Sequence, residues 1–382
     1  MNSPRLVHLF TAPLVRGDCQ EGDDGHQSST TTLVPVEELD YEMERAAIVK
    51  ALDSGHRRIL YKSEVGKISK FLLCLTGCRV MHLTWNGSKE QRQVPCEDDE
   101  GCFSPISEED FLASCTGKVP EVVVLSGRSA KAVARTFILA GIKHVVAVER
   151  SAAMEELTLG FTKTFYEELL QGFTLQDSFD QALRRLACGA GAPFALLPEK
   201  GDHSVTLFDG IDAGQYIDET PSLPINRCDP VSSNFLGQEV QVHETFKLMR
   251  RKTQVICVKG PSGIGKTEVA LRACAYARER HTFGDIFFVP LGERKGMPAA
   301  VSTVEVVGCI AEAFGFEPQV MEWNDPPLMH QSRFSSPAFY LPVVSCVLFL
   351  LLLLTLLFLY LCERSVLRGM AGPSSPDSLS VG

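Results

Sequence analysis

The sequence lacks the features of several large protein classes. It has no run of lysine and arginine, and its formal net charge is -10. Such a chain would repel a polyanion, because nucleic-acid binding depends on basic side chains that neutralise phosphates. Its 13 cysteines also lack the regular spacing of a small secreted disulfide framework. We therefore expect no nucleic-acid partner, and we expect the cysteines to stay reduced.

The first residues lack the pattern of a signal peptide. The apolar residues of MNSPRLVHLFTAPLV are interrupted by His8 and Pro13, and no small-residue cleavage site follows. The one long apolar run is at 339–361, which contains no charged residue. About 20 apolar residues span the hydrocarbon core of a bilayer. We therefore expect a C-terminal transmembrane helix that anchors cytosolic domains to a membrane. The alternative is that residues 317–382 are a gene-model artefact.

The first half of the chain alternates between strand and helix patterns. Short apolar, β-branched runs predict strands at 6–14, 78–85, 121–125 and 144–148. Apolar residues at helical spacing predict helices at 42–52, 129–140 and 154–171, and Thr174 with Asp177 is typical of a helix start. Such alternation favours a doubly wound parallel sheet covered on both faces.

A weak metal pattern lies in this half. Cys74, Cys78 and His82 are closely spaced, and Cys96 or Cys102 is a candidate fourth ligand. Zinc sites use such residues. However, the first three fall on a predicted helix end and a predicted buried strand, which favours burial in the core over a zinc site.

A glycine-rich segment further on matches the pattern G-x-x-x-x-G-K-[ST] in full. Its residues are Gly260, Pro261, Ser262, Gly263, Ile264, Gly265, Lys266 and Thr267. An apolar run precedes it and a helical pattern follows, so its backbone N–H groups would point at a phosphate at a helix start. Lys266 would reach the β- and γ-phosphates and Thr267 would hold Mg²⁺. We expect ATP or ADP with Mg²⁺ to bind here, without a choice between the two.

The region around this motif, 233–316, is predicted to be a partial α/β domain of the P-loop NTPase class. Strands are expected at 254–259 and 285–291, and a helix begins at Ser302. A P-loop ATPase also needs an acidic residue after a later strand. No apolar strand that ends in Asp follows Leu291, so the sequence does not support ATP hydrolysis.

Part of this region resembles the start of an NB-ARC or STAND-type regulatory nucleotidase. The stretch FLGQEVQVHETFKLMRRKTQVICVKGPSGIGKTEVALRACAYA carries the resemblance. Members of this class have a Phe-x-Gly-Arg-Glu element that helps to hold the adenine. Here Gln238 stands at the Arg position, which leaves the phosphate motif intact.

The first half resembles a CHAT domain, the caspase-like fold that occurs beside such nucleotidases. The matching stretches include LFTAPLV, LDYEMERAAIVKAL, LTGCRVMHLTWNG, AGIKHVVAVERS, FTKTFYEELLQGFTLQDSFDQAL and PFALLPEKGDHSVTLF. Members of that family have a His-Cys dyad, with the His before a glycine and the Cys after the next strand. Here Asn86 stands at the His position, before Gly87, and Gly127 stands at the Cys position. An amide cannot act as a base and glycine has no nucleophile.

These observations predict a caspase-like parallel-sheet sandwich, a partial P-loop α/β domain and one transmembrane helix. The segments are a CHAT domain at 3–210, a linker at 211–232, a nucleotide-binding domain at 233–316, a linker at 317–338, the helix at 339–361 and a tail at 362–382.

The resulting hypothesis is a membrane-anchored regulatory protein that binds nucleotide and has a non-catalytic CHAT domain and protein partners. Three alternatives stay open. The chain is a cysteine peptidase with another nucleophile, an ATPase completed by a second molecule, or a truncated relative without a stable second domain.

Overall fold

The computed structural model describes residues 5–19, 31–37, 39–86, 93–115, 117, 119–187, 193–232, 235–251, 255–289, 291 and 303–313. The strands of these residues are β1 (Arg5–Thr11), β2 (Val15–Cys19), β3 (Thr31–Pro35), β4 (Leu60–Val65), β5 (Val80–Trp85), β6 (Val122–Gly127), β7 (His144–Glu149), β8 (Phe194–Leu197), β9 (Ile217–Asp218), β10 (Ile225–Arg227) and β11 (Asp285–Phe287). The helices are α1 (Tyr41–Gly55), α2 (Ile68–Gly77), α3 (Glu108–Ser114), α4 (Ala130–Leu139), α5 (Glu155–Leu170), α6 (Leu175–Arg185), α7 (Glu239–Arg250), α8 (Lys266–Glu279) and α9 (Thr303–Ala313).

One seven-stranded sheet organises most of the described chain, in the order β8-β7-β6-β5-β1-β4-β9. Its strands pair in parallel, except that β8 runs antiparallel to β7. Parallel neighbours need crossover connections, and here helices form most of those connections. The predicted mixed α/β architecture with a mainly parallel sheet is therefore confirmed.

The central strands are apolar because both faces of the sheet are covered. Every residue of β5 and β6 is buried, as continuous Val- and Leu-rich runs require in a parallel sheet. On one face, α1, α5 and α6 contribute Ile48, Phe161 and Phe179 to a core. On the other face, α2, α3 and α4 contribute a second core that includes Phe71 and Phe111. The strands predicted from these runs are confirmed.

Helix starts follow the local sequence where a capping side chain is present. The side chain of Thr174 accepts a hydrogen bond from the backbone N–H of Asp177 at 3.0 Å, which confirms the predicted start of α6. At α1, the carboxylate of Asp40 accepts from the backbone N–H of Met43 at 3.2 Å. Each cap satisfies a backbone donor that the first helical turn leaves without an acceptor.

A third apolar core joins the β2–β3 hairpin to α7 and α8. Its buried residues include Leu14 and Val15 beside β2, Phe246 of α7, and Val269 and Tyr276 of α8. The helix that follows the glycine-rich motif therefore packs against the polypeptide of the first half. This packing explains how α7 and α8 bury an apolar face.

Two predicted strands in the second half need correction, while the predicted linker at 211–232 stays a prediction. The predicted strand at 254–259 is wrong, since residues 255–259 have no regular structure and alternate between exposed and half-buried. The predicted strand at 285–291 is shorter, at Asp285–Phe287, and it pairs with β10. The predicted linker at 211–232 contains β9 and β10, because backbone pairing does not need apolar side chains. The pairing of β9 with β4 extends the main sheet to residue 218.

The chain divides into two compact units, Met1–Ile286 and Phe287–Gly382. In the second unit the structure describes α9, which confirms a helix that begins near Ser302. Among the described residues, no helix is both long and apolar enough to cross a membrane. The predicted transmembrane helix at 339–361 lies outside the described residues, and the predicted domain boundaries stay a prediction.

Candidate functional site

The two positions of the expected dyad lie on neighbouring strands. Asn86 directly follows β5, and Gly127 is the last residue of β6. The two strands pair in register, with Trp85 opposite Gly127. In open α/β sheets, ligands bind outside the carboxyl ends of the strands. The structure therefore brings both positions to the edge of the sheet where a site is expected, while Gly87 lies outside the described residues.

The position of Gly127 has no room for a nucleophile. A Cβ atom built on Gly127 would lie 2.3 Å from the Cδ2 and Cε2 atoms of the Trp85 ring. The indole is only 2% exposed, and close-packed interiors leave such a ring little space to move. Any side chain at this position would force the indole to shift. The packing of β5 against β6 therefore leaves no space for a side chain at residue 127.

Asn86 and Arg128 are both held by Glu37. The side-chain nitrogen of Asn86 donates to the backbone carbonyl of Glu37 at 3.2 Å, and Arg128 Nη2 pairs with the Glu37 carboxylate. An amide cannot take up a proton from a nucleophile, and a guanidinium stays protonated in proteins. These contacts therefore tie the segment before α1 to the strand ends and provide no acid–base chemistry.

A cleft of about 210 Å³ opens between these residues. Its lining consists of Arg16, Pro35, Val36, Glu37, Asn86, Phe103 and Arg128. Arg16, on β2, is half-buried. Within the described part of the chain, its guanidinium takes part in no ion pair or hydrogen bond. The cleft therefore combines an unpaired cation, an amide and a neutralised Arg–Glu pair.

The described cysteines near this edge do not replace the missing nucleophile. Burial raises the pKa of the Cys102 thiol to about 11, and it also raises the pKa of Cys115. Cys102 Sγ lies 3.7 Å from His243 Nε2, and burial lowers the pKa of His243. The reactive species is the thiolate. This Cys–His contact is therefore a protonated thiol beside a neutral imidazole.

A buried polar network lies between the sheet and helices α1 and α5. Its centre is Glu44, which is fully buried. Glu44 Oε1 accepts hydrogen bonds from His82 Nε2 and Thr162 Oγ1, each at 3.1 Å. Oε2 accepts from Thr84 Oγ1 at 3.0 Å and from Arg150 Nη1 at 2.6 Å. Burial opposes ionisation, but His82 and Arg150 outweigh it and hold the pKa of Glu44 well below its usual range.

The ionised Glu44 fixes the protons of its neighbours. A carboxylate only accepts, so His82 Nε2 and the Thr84 hydroxyl must donate to it. Thr84 then accepts from His8 Nε2 at 3.1 Å, and Ser63 donates to His8 Nδ1 at 3.1 Å. This arrangement needs a neutral His8. Burial, helped by the neighbouring His82, lowers the pKa of His8 to about 3.

The network ends at Arg150, beside the candidate site. The backbone N–H of Arg150 donates to the carbonyl of Gly127 at 3.1 Å. Its guanidinium contacts both Glu44 and Glu155, the latter at 3.5 Å. Glu44 therefore holds Arg150 against the end of β6. Sequence reasoning missed this residue, because Glu44 and Arg150 are far apart in the chain and the CHAT resemblance gives neither of them a role.

The candidate metal ligands are not brought together as a set. Cys78 Sγ donates to the backbone carbonyl of Cys74 at 3.0 Å. Both ring nitrogens of His82 have partners, since His82 Nδ1 lies 3.0 Å from the Tyr166 hydroxyl and Nε2 bonds Glu44. In the described part of the chain, no three His, Cys, Asp or Glu residues form a metal-binding group.

The glycine-rich motif lies directly before α8. Gly263 and Gly265 have φ of 78° and 92°, a region that glycine enters without steric cost. The ammonium of Lys266 donates to the carbonyl of Pro261 at 2.7 Å, and Gln238 Nε2 donates to the carbonyl of Ile264 at 2.8 Å. The loop is therefore closed by its own lysine and braced by Gln238. Lys266 and Thr267 are the first residues of α8, where a helix favours anions.

The opposite end of α8 is anchored by a buried ion pair. Arg280 Nε and Nη2 lie 2.6 Å and 2.8 Å from the two carboxylate oxygens of Glu97. Arg280 Nη2 also lies 2.8 Å from the carbonyl of Ala12, and the guanidinium stacks 3.2 Å above the ring of Tyr276. Ala12 directly follows β1, so this anchor ties α8 to the carboxyl edge of the sheet.

Part of the chain matches a known protein family. Residues 111–194 match the CHAT domain family. The match runs from α3 to β8, and it includes Gly127 at the end of β6. The matched residues therefore resemble part of a CHAT domain, a caspase-like fold related to peptidases. The match does not extend to the glycine-rich motif, and no curated protein matches the chain.

Proposed function

We propose that this chain is a regulatory protein that binds a nucleotide and uses its CHAT domain as a non-catalytic binding module. The runner-up is an active cysteine peptidase with another nucleophile. The observation that carries the proposal is the contact between Gly127 and Trp85, where a Cβ would come within 2.3 Å of the indole. A site that has lost both its nucleophile and the room for one is suited to binding rather than cleavage.

The nucleotide part of the proposal is supported by the glycine-rich loop. The loop leads into α8 and contains two glycines with positive φ. The ammonium of Lys266 donates a hydrogen bond back to the loop. In the proposed complex, Lys266 releases Pro261 and meets the β- and γ-phosphates, and Thr267 holds Mg²⁺. These residue types fit ATP or ADP with Mg²⁺. Residues 255–259 do not supply a supporting strand, so α8 depends on its packing against the first half of the chain.

The remaining parts of the proposal come from sequence. The apolar run at 339–361 would anchor the protein to a membrane, with the main domains in the cytosol. The regulatory role, which rests on the likeness to NB-ARC and STAND proteins, implies a protein partner.

A peptidase assay tests the non-catalytic role. We expect the full chain to leave a mixed peptide library uncut and to resist a thiol-reactive peptidyl probe, because the thiols near the cleft are protonated. Mass spectrometry of the library and of the labelled protein provides the measurement. Labelling at one cysteine that disappears when that cysteine is changed to serine, together with peptide cleavage, would establish the runner-up.

A lysine substitution tests nucleotide binding. We expect Lys266→Ala in the full chain to weaken ATP and ADP binding by at least about tenfold, the effect of one lost hydrogen bond to a charged group. Isothermal titration calorimetry with Mg²⁺ present measures the affinities. The matched control is Lys259→Ala, an exposed lysine just before the motif, which should change them less than about threefold. Equal effects of both substitutions would show that binding does not use the motif.

A further inference from the structure

We infer that the cleft beside Asn86 and Arg128 binds the carboxylate side chain of an acidic peptide. The inference deepens the proposed function, because it rests on a non-catalytic binding role for this same cleft and names the class of its partner. It depends on three properties of the cleft, which are its charge, its size and its existing carboxylate contact.

The charge of the cleft favours an anion. Glu37 neutralises Arg128, whereas Arg16 has no ion-pair partner among the described residues. One cation is therefore left over in a half-buried position. The net charge of the whole chain is -10, so this positive lining contrasts with the rest of the molecule. A charge-assisted hydrogen bond to a half-buried guanidinium is stronger than one between neutral groups.

The size of the cleft fits a single side chain. Its volume of about 210 Å³ is far above the ~10–15 Å³ that a cavity needs to hold one water, so it has room for a side chain. Pro35, Val36 and Phe103 provide apolar walls, which suit the methylene stem of Asp or Glu. Ligand sites of this kind combine apolar walls with a few placed polar groups.

The molecule already places a carboxylate in the cleft. Glu37 is half exposed, and its carboxylate pairs with Arg128 beside Asn86. Arg16 lines the same cleft and has no carboxylate partner among the described residues. An acidic side chain from a peptide would pair with Arg16 as Glu37 pairs with Arg128.

A peptide library tests this inference. The full chain is incubated with immobilised N-acetylated hexapeptides that carry Asp, Glu, Asn or Gln at the centre and random residues elsewhere. We expect selection of Asp or Glu peptides, at least about tenfold tighter than their amide counterparts. We expect Arg16→Met to remove this preference and Arg16→Lys to retain part of it. The control Arg184→Met changes an exposed arginine on α6 and should have no effect.

Each result decides the inference. Equal binding of acid and amide peptides, no binding of any peptide, or an unchanged preference in Arg16→Met with an unaltered melting temperature would overturn it. These failures would leave the proposed function standing, provided that the library stays uncut and Lys266 is still needed for nucleotide binding. Cleavage of the bound peptides would instead overturn the proposed function.

Discussion

Replacement of Arg280 by methionine should lower the free energy of unfolding by about 3–5 kcal/mol, since it leaves a buried carboxylate without its partner. The Arg280 side chain is 1% exposed and that of Glu97 is 0% exposed. The guanidinium makes two bonds to Glu97 and one to the carbonyl of Ala12. Urea unfolding, followed by the fluorescence of the buried Trp85, measures the change.

The surface pair of Arg79 and Glu121 is the matched control. Its N···O distance is 3.0 Å, but the two side chains are 33% and 44% exposed. Arg79→Met should therefore cost no more than about 1 kcal/mol. The double variant Glu97→Gln with Arg280→Met should recover part of the loss, because it removes the stranded charge. If Arg280→Met costs no more than Arg79→Met, the buried pair does not anchor α8.

Acidification should destabilise the protein at pH values that are well above the ordinary pKa of carboxylates. His8 has a pKa of about 3 in the folded chain and an ordinary value of 6.5. Between pH 6.5 and about 3, His8 binds a proton in the unfolded chain but stays neutral in the folded chain. His8 therefore contributes its full stability above pH 6.5, and loses it at up to about 1.4 kcal/mol per pH unit as the pH falls toward 3. Glu44 adds a loss of the same sign below its ordinary pKa of 4.5, since its folded pKa is lowered.

The contribution of His8 is separated from that of the other groups by comparing variants. The quantity compared is the slope of the free energy of unfolding against pH. The pKa values of His144 and His243 are also lowered by burial, so they contribute in the same direction. His8→Asn should reduce the slope between pH 6 and 4 by up to about 1.4 kcal/mol per pH unit, whatever its effect on absolute stability. The control is His56→Asn at an exposed left-handed position that asparagine tolerates. An unchanged slope in His8→Asn would show that the folded chain accepts a proton there.

Much of the first half of the fold could be predicted from the sequence, because strands of a sheet that is buried on both faces have mostly apolar sequences. The runs at β5, β6 and β7 are mostly apolar, and each proved to be a strand of the parallel sheet. Strand β4 was missed because its residues LYKSEV alternate between buried and half-buried positions. Its place beside β1 depends on partners that only the folded chain provides.

The same reasoning fails where a strand has no neighbour. The apolar run VICVK at 255–259 reads as a central strand, but a strand is stabilised by hydrogen bonds to another strand. None of the described strands pairs with it. The expectation of a strand at this place was therefore wrong, and the expectation of a partial domain stays a prediction.

The candidate site could be located from sequence, but its chemistry could not. The pattern placed Asn86 and Gly127 after neighbouring strands, and the structure has Asn86 directly after β5 and Gly127 as the last residue of β6. Arg16 and Glu37 belong to no motif and reach the cleft through the β2–β3 hairpin and the segment after it. Arg128 follows β6 directly, so its position at a strand end was the one available signal.

The short strand β9 has a consequence for how this protein can be divided. It lies in the segment predicted as a linker, yet it extends the main sheet, and Thr220 just beyond it accepts a hydrogen bond from the backbone N–H of Ser63 at 2.9 Å. Ser63 in turn bonds His8. A genetic exchange that cut the chain before residue 217 would expose the edge of β4 and disturb the buried histidine. Recombination that preserves both parts must therefore transfer the sheet, through β9, and the glycine-rich segment as one inherited block.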